Sequence, residues 1–220
     1  MPKNMSRIAL TMVALLAILC LAGCGAEKPK ESADKAVLGW AEMYAYGVSD
    51  NESATGMTKA QSDQVSEKVI GDMLKAFSMF PLSQQNVEAM TTEYITKLQA
   101  AMEIKTKIKK DDAEHPVVEV SAAVIDHQGA DKLAQTSEDL IALGVVLGQL
   151  RAQGFTDEQL KADADFQNAV MECVRSYVDE IPLKATQTFE VKCSADKGND
   201  GKMYWVPEDP QALMNFITGM

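Results

Sequence analysis

The hydrophobic period of the chain changes at Glu103, and that change restricts the fold more than any bulk property does. Ile104, Thr106 and Ile108 alternate with Lys105, Lys107 and Lys109, the pattern of a strand with one face in a core and the other in water. Asp111 to Pro116 is rich in turn residues, and the valine-rich stretch Val117 to Asp126 predicts a second strand, so the two read as an antiparallel hairpin. Alternation returns at Thr186 to Ser194, with Phe189, Val191 and Cys193 on one face and Glu190 and Lys192 on the other. Asn199-Asp200-Gly201 then turns the chain into a fourth strand, Lys202 to Val206. Hairpins separated by helices do not build a doubly wound parallel sheet, which needs strict alternation of strand and helix.

Helical periodicity fills the remainder. Val37, Trp40, Met43, Tyr44 and Val48 form a stripe on a helix expected from Ser32 to Tyr46, with Gly47 as its stop. Val65, Val69, Ile70, Met73, Leu74, Phe77 and Phe80 mark a second helix, ended by Pro81, and Ser83 caps a third carrying Val87, Met90, Tyr94, Leu98 and Met102. Between the hairpins one helix is expected from Lys132 to Gln153, capped by Asp131; its middle, Leu140 to Leu150, is apolar on nearly all sides and should be buried. Another is expected from Thr156 to about Glu180, with Thr156 as N-cap, Gln159 at the capping-box position and Phe155 and Leu160 as a hydrophobic staple. Asp209 and Pro210 open a last short helix. The expected class is α+β, with helices packed on an antiparallel sheet of about four strands and residues 32–220 as one domain. Helices followed by a hairpin occur twice, through duplication or by coincidence.

The N-terminus has the anatomy of an export signal. Lys3 and Arg7 precede an apolar run from Ile8 to Leu21 interrupted only by Thr11, a run short of the roughly 20 apolar residues of a spanning helix. Leu21-Ala22-Gly23-Cys24 resembles the lipobox of bacterial lipoproteins at all four positions. The resemblance implies that residues 1–23 are removed, that Cys24 is lipidated with palmitate-type acyl chains, and that residues 24–31 form a short tether. Two or three acyl chains hold a protein firmly where one gives only marginal binding. The expected location is the extracytoplasmic face of a cell membrane or outer membrane. The alternatives are an ordinary cleaved signal and an uncleaved helix.

Net charge narrows the partners. The chain carries −11 formally, and loss of Lys3 and Arg7 with the signal makes it −13, which disfavours nucleic acid and anionic headgroups, so attachment is expected through the lipid. Of the four cysteines, Cys20 leaves with the signal and Cys24 takes the lipid. Cys173 and Cys193 remain, and a pair in an exported chain reads as a disulfide, closing a loop of about 20 residues that could contribute about 3 kcal/mol. The alternative is two buried free thiols.

Asp200-Gly201-Lys202-Met203-Tyr204-Trp205-Val206, preceded by an alternating strand and followed by a short helix, resembles the end of small Firmicutes lipoproteins. Many of these resemble nuclear-transport-factor-like or cystatin-like domains, so the resemblance implies a cone-like, curved antiparallel sheet with helices in its concavity. Several additional helices depart from a minimal cone domain. The resemblance supplies no catalytic residues.

Few residues carry obvious chemistry. His115 and His127 are the two histidines, and Asp126-His127 could act as a metal-ligand or acid/base pair, although adjacent strand residues point to opposite faces. No nucleophile elbow, phosphate-binding loop, dinucleotide fingerprint or zinc-helix motif is present. Asp157, Glu158, Asp163 and Asp165 cluster at a helix start, where carboxylates ordinarily complement the helix dipole. Thirteen methionines could line an adaptable pocket or fill the core. Trp40, Tyr44, Tyr204 and Trp205 are the candidate ligand pocket, the alternative being that they plug the core. The leading expectation is a non-enzymatic, membrane-anchored binding or interaction module without cofactor or metal, taking a small apolar ligand or an envelope protein partner. An enzyme using Asp126 and His127, or a structural envelope protein, are the other readings.

Overall fold

The lysine-rich alternation after Glu103 forms β1, Lys105–Lys110, which pairs antiparallel with β2, Val117–Ala122. β3, Gln187–Lys197, lies on the other side of β2, and β4, Met203–Pro207, completes a sheet of order β1-β2-β3-β4. The structure is a computed structural model that describes residues 28–75 and 77–220. Its class is α+β, as the sequence pattern predicts. The two faces of the sheet separate by side-chain chemistry. Lys107 meets Glu119 at 2.7 Å across the β1–β2 pair, and Lys109 forms an ion pair with Glu190, so one face is a solvated charge ladder. On the opposite face Val118, Val120, Val191 and Cys193 are buried, each valine stabilising the fold by about 1.5–3 kcal/mol through burial.

Two helices cover that apolar face. α1, Ala33–Tyr46, sends Val37 and Ala41 into the sheet core and accepts a hydrogen bond at the Asp34 carbonyl from Thr106 Oγ1, at 3.0 Å. Gly47 ends it as expected, in a left-handed conformation with its N–H donating to the Met43 carbonyl. α8, Pro210–Thr218, is started by the Asp209 side chain, which accepts from the Ala212 N–H, and stacks Phe216 on Phe189 with ring centroids 5.2 Å apart.

The other helices build a second core beside the first. They are α2, Lys59–Lys75; α3, Gln84–Met102; α4, His127–Thr136; α5, Glu138–Ala152; α6, Asp157–Ala162; and α7, Ala164–Asp179. Phe77, Phe80, Met90, Leu147, Leu160 and Val170 are among its buried residues, and Tyr94 packs against both cores. The insertion α4–α7 leaves and re-enters the sheet through paired backbone: Asp126 N–H donates to the Pro182 carbonyl at 2.9 Å, and Lys184 N–H to Val124 at 2.8 Å.

Several expectations change here. The helix expected over Lys132 to Gln153 is two, because the Ser137 hydroxyl accepts from the Leu140 N–H and starts α5 afresh. The helix expected from Thr156 to Glu180 also divides, at Asp163, whose carboxylate accepts from the Phe166 N–H. Its start is as read: Thr156 and Gln159 form both bonds of a capping box. The second helix stops at Lys75 rather than at Pro81, and β2 stops at Ala122, leaving Asp126 and His127 off the sheet. The apolar middle of α5 is not enclosed. Leu143 and Leu147 are buried, whereas Ile141 and Val145 are 52% and 55% exposed, since α5 lies outermost and packs against α4 and α7 alone among the helices it touches most.

Candidate functional site

Where the two cores meet, a cleft of about 450 Å³ is left open. Tyr44 and Ala45 of α1, Val65, Val69 and Met73 of α2, Tyr94, Leu98 and Met102 of α3, and Met214 and Ile217 of α8 contribute to its walls, and Phe77, Ile125, Tyr177 and Ile181 to the rest. Its volume falls in the ordinary range for small-molecule sites, about 300–1,000 Å³, and the mixture of apolar wall with few polar groups is what such sites have.

Each wall is held by a local feature. The helical period of α3 puts Tyr94, Leu98 and Met102 on one line, four residues apart. α4 is drawn in by the backbone pairing at Asp126 and Pro182, and Gly129 permits it: a Cβ there would stand 2.7 Å from the Pro182 ring and 2.9 Å from Asp126 Oδ2. The C-terminal end of α8 is fixed by His127 Nε2 against the Thr218 carbonyl.

Three phenols give the cleft its polar character. Tyr177 donates to the Ala130 carbonyl at 3.4 Å and meets Phe77 edge-on, ring centroids 5.7 Å apart at 83°. Burial pushes the Tyr44 phenol up to about 12, and burial followed by the neighbouring Tyr177 does the same for Tyr94, also to about 12. Tyr177 is raised by burial and then by the Asp131 carboxylate. All three are neutral hydrogen-bonding groups at physiological pH. At the rim stand Lys68 and Asp72, paired at 3.0 Å, with Asp131 and His127.

The four aromatics singled out in the sequence divide among separate places. Trp40 and Tyr44, one turn apart, have centroids 5.7 Å apart, but only Tyr44 lines the cleft. Trp40 and Tyr204 border a smaller polar depression with Gly56, Asp196 and Asn199, while Trp205 lines another with Tyr204 and Ala54. Tyr204 donates to Asp200 at 2.8 Å. Among the described residues two buried side-chain atoms lack a hydrogen-bond partner, Trp40 Nε1 and Asp34 Oδ1. The cleft residues Met73, Tyr94, Phe77 and Met102 belonged to the expected helical stripes; nothing in their spacing distinguishes a cleft wall from a filled core.

The remaining candidates resolve individually. Asp126 and His127 make no hydrogen bond to each other; Asp126 precedes α4 at its N-cap position, and His127 is engaged by Thr218. His115 pairs with Glu208 at 3.0 Å. Asp157 pairs with Arg151 at 2.9 Å and Asp163 caps α7, so these acidic residues serve the helix starts. No group of three or more potential metal ligands occurs among the described residues. The expected Cys173–Cys193 disulfide is not formed: both thiols are free and buried, Cys173 on α7 in the helical core and Cys193 on β3 in the sheet core. Burial followed by a nearby carboxylate, Asp139 and Glu208 respectively, raises them to about 11 and about 12, so both are inert thiols. Cys24 and the rest of the lipobox lie outside the described residues. No helix among those described is long and apolar enough to cross a membrane.

Fold and cleft together define a two-core α+β domain with an apolar small-molecule-sized cleft at the seam. No family model matches the chain, and no curated protein does. Among solved structures it is similar to a "putative lipoprotein (ycdA)" from Bacillus subtilis subsp. subtilis str. 168, with 15% sequence identity and a TM-score of 0.45, over 85% of this chain and 55% of that one. The chain thus spans about half the length of that protein.

Proposed function

We propose that the protein is a lipid-anchored extracytoplasmic binding module, without catalytic activity of its own, that takes a small apolar ligand into the cleft between its two cores. The observation that carries the reading is the cleft itself, about 450 Å³ and walled largely by methionines, aliphatic residues and three tyrosines from α1, α2, α3, α4, α7 and α8. Methionine and aromatic walls adapt to ligands of varied shape, and Tyr hydroxyls can orient a polar end. The anchor is supported by Leu21-Ala22-Gly23-Cys24 and by the short run to Ser32, which would hold the domain close to the bilayer.

The test uses the mature chain, residues 24–220 with Cys24→Ser to prevent acylation, titrated with the neutral apolar dye N-phenyl-1-naphthylamine. Saturable one-to-one fluorescence enhancement is expected, and Ala130→Trp, which fills the cleft from the partly exposed α4, should abolish it. Enhancement that does not saturate, or that survives Ala130→Trp unchanged, overturns the assignment.

A further inference from the structure

The charges around the cleft are not balanced. Lys68 is the only lysine or arginine lining it among the described residues, and Asp72 holds it at 3.0 Å. Asp131, on α4, lines the same cleft, is solvent-exposed, and has no ion-pair partner among the described residues. Beside Asp131 the wall is aromatic: Tyr177 donates to the carbonyl of Ala130, the residue before Asp131, and meets Phe77 edge-on, and Tyr94 lines the same cleft. Ring faces and an uncompensated carboxylate both attract a cation, and both repel an anion. The chain's overall charge of −11 acts in the same direction.

Resting on the reading of the cleft as a ligand site, we infer that its ligand is a cationic amphiphile: an apolar body seated among the methionines, with an ammonium group at the Asp131 and Tyr177 end. Fatty acids and anionic lipids are disfavoured on this account, because Lys68, the one lysine or arginine lining the cleft among the described residues, is already committed to Asp72.

The experiment compares three probes of one chain length, decylammonium, 1-decanol and decanoate, by isothermal titration calorimetry against the mature chain with Cys24→Ser at pH 7. Decylammonium should bind about tenfold more tightly than decanol, and decanoate more weakly than either. Asp131→Asn should bring decylammonium to the affinity of decanol and leave decanol unchanged. Asp165→Asn, the same charge change at an exposed position on α7, should leave the preference intact. Decanoate binding as tightly as decylammonium, or a preference that survives Asp131→Asn, overturns the inference. If all three bind alike, the charge assignment fails while the cleft stands as a ligand site; if none binds, the cleft assignment fails and this inference with it.

Discussion

Gln167 is the most exposed to test of the polar groups in the helical core, because its side chain is buried and uses its whole hydrogen-bonding capacity. Nε2 donates to the Pro81 carbonyl at 2.8 Å and the Leu160 carbonyl at 3.0 Å, while Oε1 accepts from the Ser83 N–H and from Asn86 Nδ2, both at 2.9 Å. The two carbonyls require the NH₂ on their side, so the amide's orientation follows from its neighbours. Gln167→Met keeps the volume and removes all four bonds. The Leu160 carbonyl retains the Asp163 N–H at 3.3 Å, and the Asn86 amide, being part-buried, reaches water. The buried Pro81 carbonyl loses its partner outright, while the part-buried Ser83 N–H reaches water as the Asn86 amide does. An orphaned buried backbone group costs about 1–3 kcal/mol and a lost compensated bond about 0.5–1.5, so one of the first and three of the second should cost about 2.5–7.5 kcal/mol in total. With a urea m-value of about 2 kcal/mol/M, the midpoint of the mature chain should fall by at least about 1 M at constant m. A fall of less than about 0.5 M would mean that Gln167 does not tie α7 to the α3 start as described.

Other perturbations probe separate parts of the fold. Gly56 has φ +72°, and a Cβ there would lie 2.6 Å from the Tyr204 ring; Gly56→Ala should therefore cost about 2 kcal/mol or more, read as a lower thermal midpoint, and no change would refute the packing of that turn. Gly148→Ala on α5 has open space and helical backbone, so it should raise stability by about 0.5–1 kcal/mol; destabilisation would show that α5 is covered by something. Cys173 and Cys193 should resist alkylation in the native chain at pH 8 and both react in urea without reductant; a requirement for reductant would restore the disulfide. These thiols, with Tyr44 and Tyr94, have folded pKa values raised above their unfolded ones, so their contribution is full below about pH 9 and is lost as pH rises toward 11–12. The urea midpoint should accordingly fall between pH 8 and pH 10.5, and a constant or rising midpoint would contradict the burial of these groups. Intact mass of the membrane-extracted protein should start at Cys24 and carry acyl chains; a mass retaining residues 1–23 would require a helical anchor instead.

The sequence made legible whatever is written in one short segment. The alternation at Ile104 to Ile108 predicts which face of β1 is charged, and Lys107 and Lys109 are found paired across the sheet. The capping box at Thr156 and Gln159, the Gly47 stop and the Asp209 start all lie where their residue types require. The breaks at Ser137 and Asp163 were missed for a related reason: a serine or aspartate inside a continuous apolar pattern reads as a tolerated polar residue, and only its hydrogen bond to the N–H three residues on shows it to be a cap. The exposure of α5 is not legible because periodicity reports how apolar a helix is, not how many neighbours it has.

The cleft was illegible for a reason that belongs to the architecture. Its walls come from Tyr44, Met73, Tyr94, Ile125, Tyr177 and Met214, residues spread over most of the chain, each sitting on an ordinary apolar stripe. A single core would have absorbed all of them. Here the sheet core is closed by α1 and α8, and the helical core by contacts among α3, α5, α6 and α7, and Tyr94 is the residue of the helix stripes that packs on both. Two cores each satisfied internally have no need to fill the seam between them. Tyr44, Met73, Tyr94, Ile125 and Met214 along that seam are then half-buried, and the two phenols among them remain neutral but able to hydrogen-bond. Apolar residues at such a seam are under different constraint from those inside either core. Enlarging or shrinking Met73 or Met214 changes the space for a ligand at little structural cost, whereas the same change at Val118 or Val170, both fully buried, opens or overfills a core.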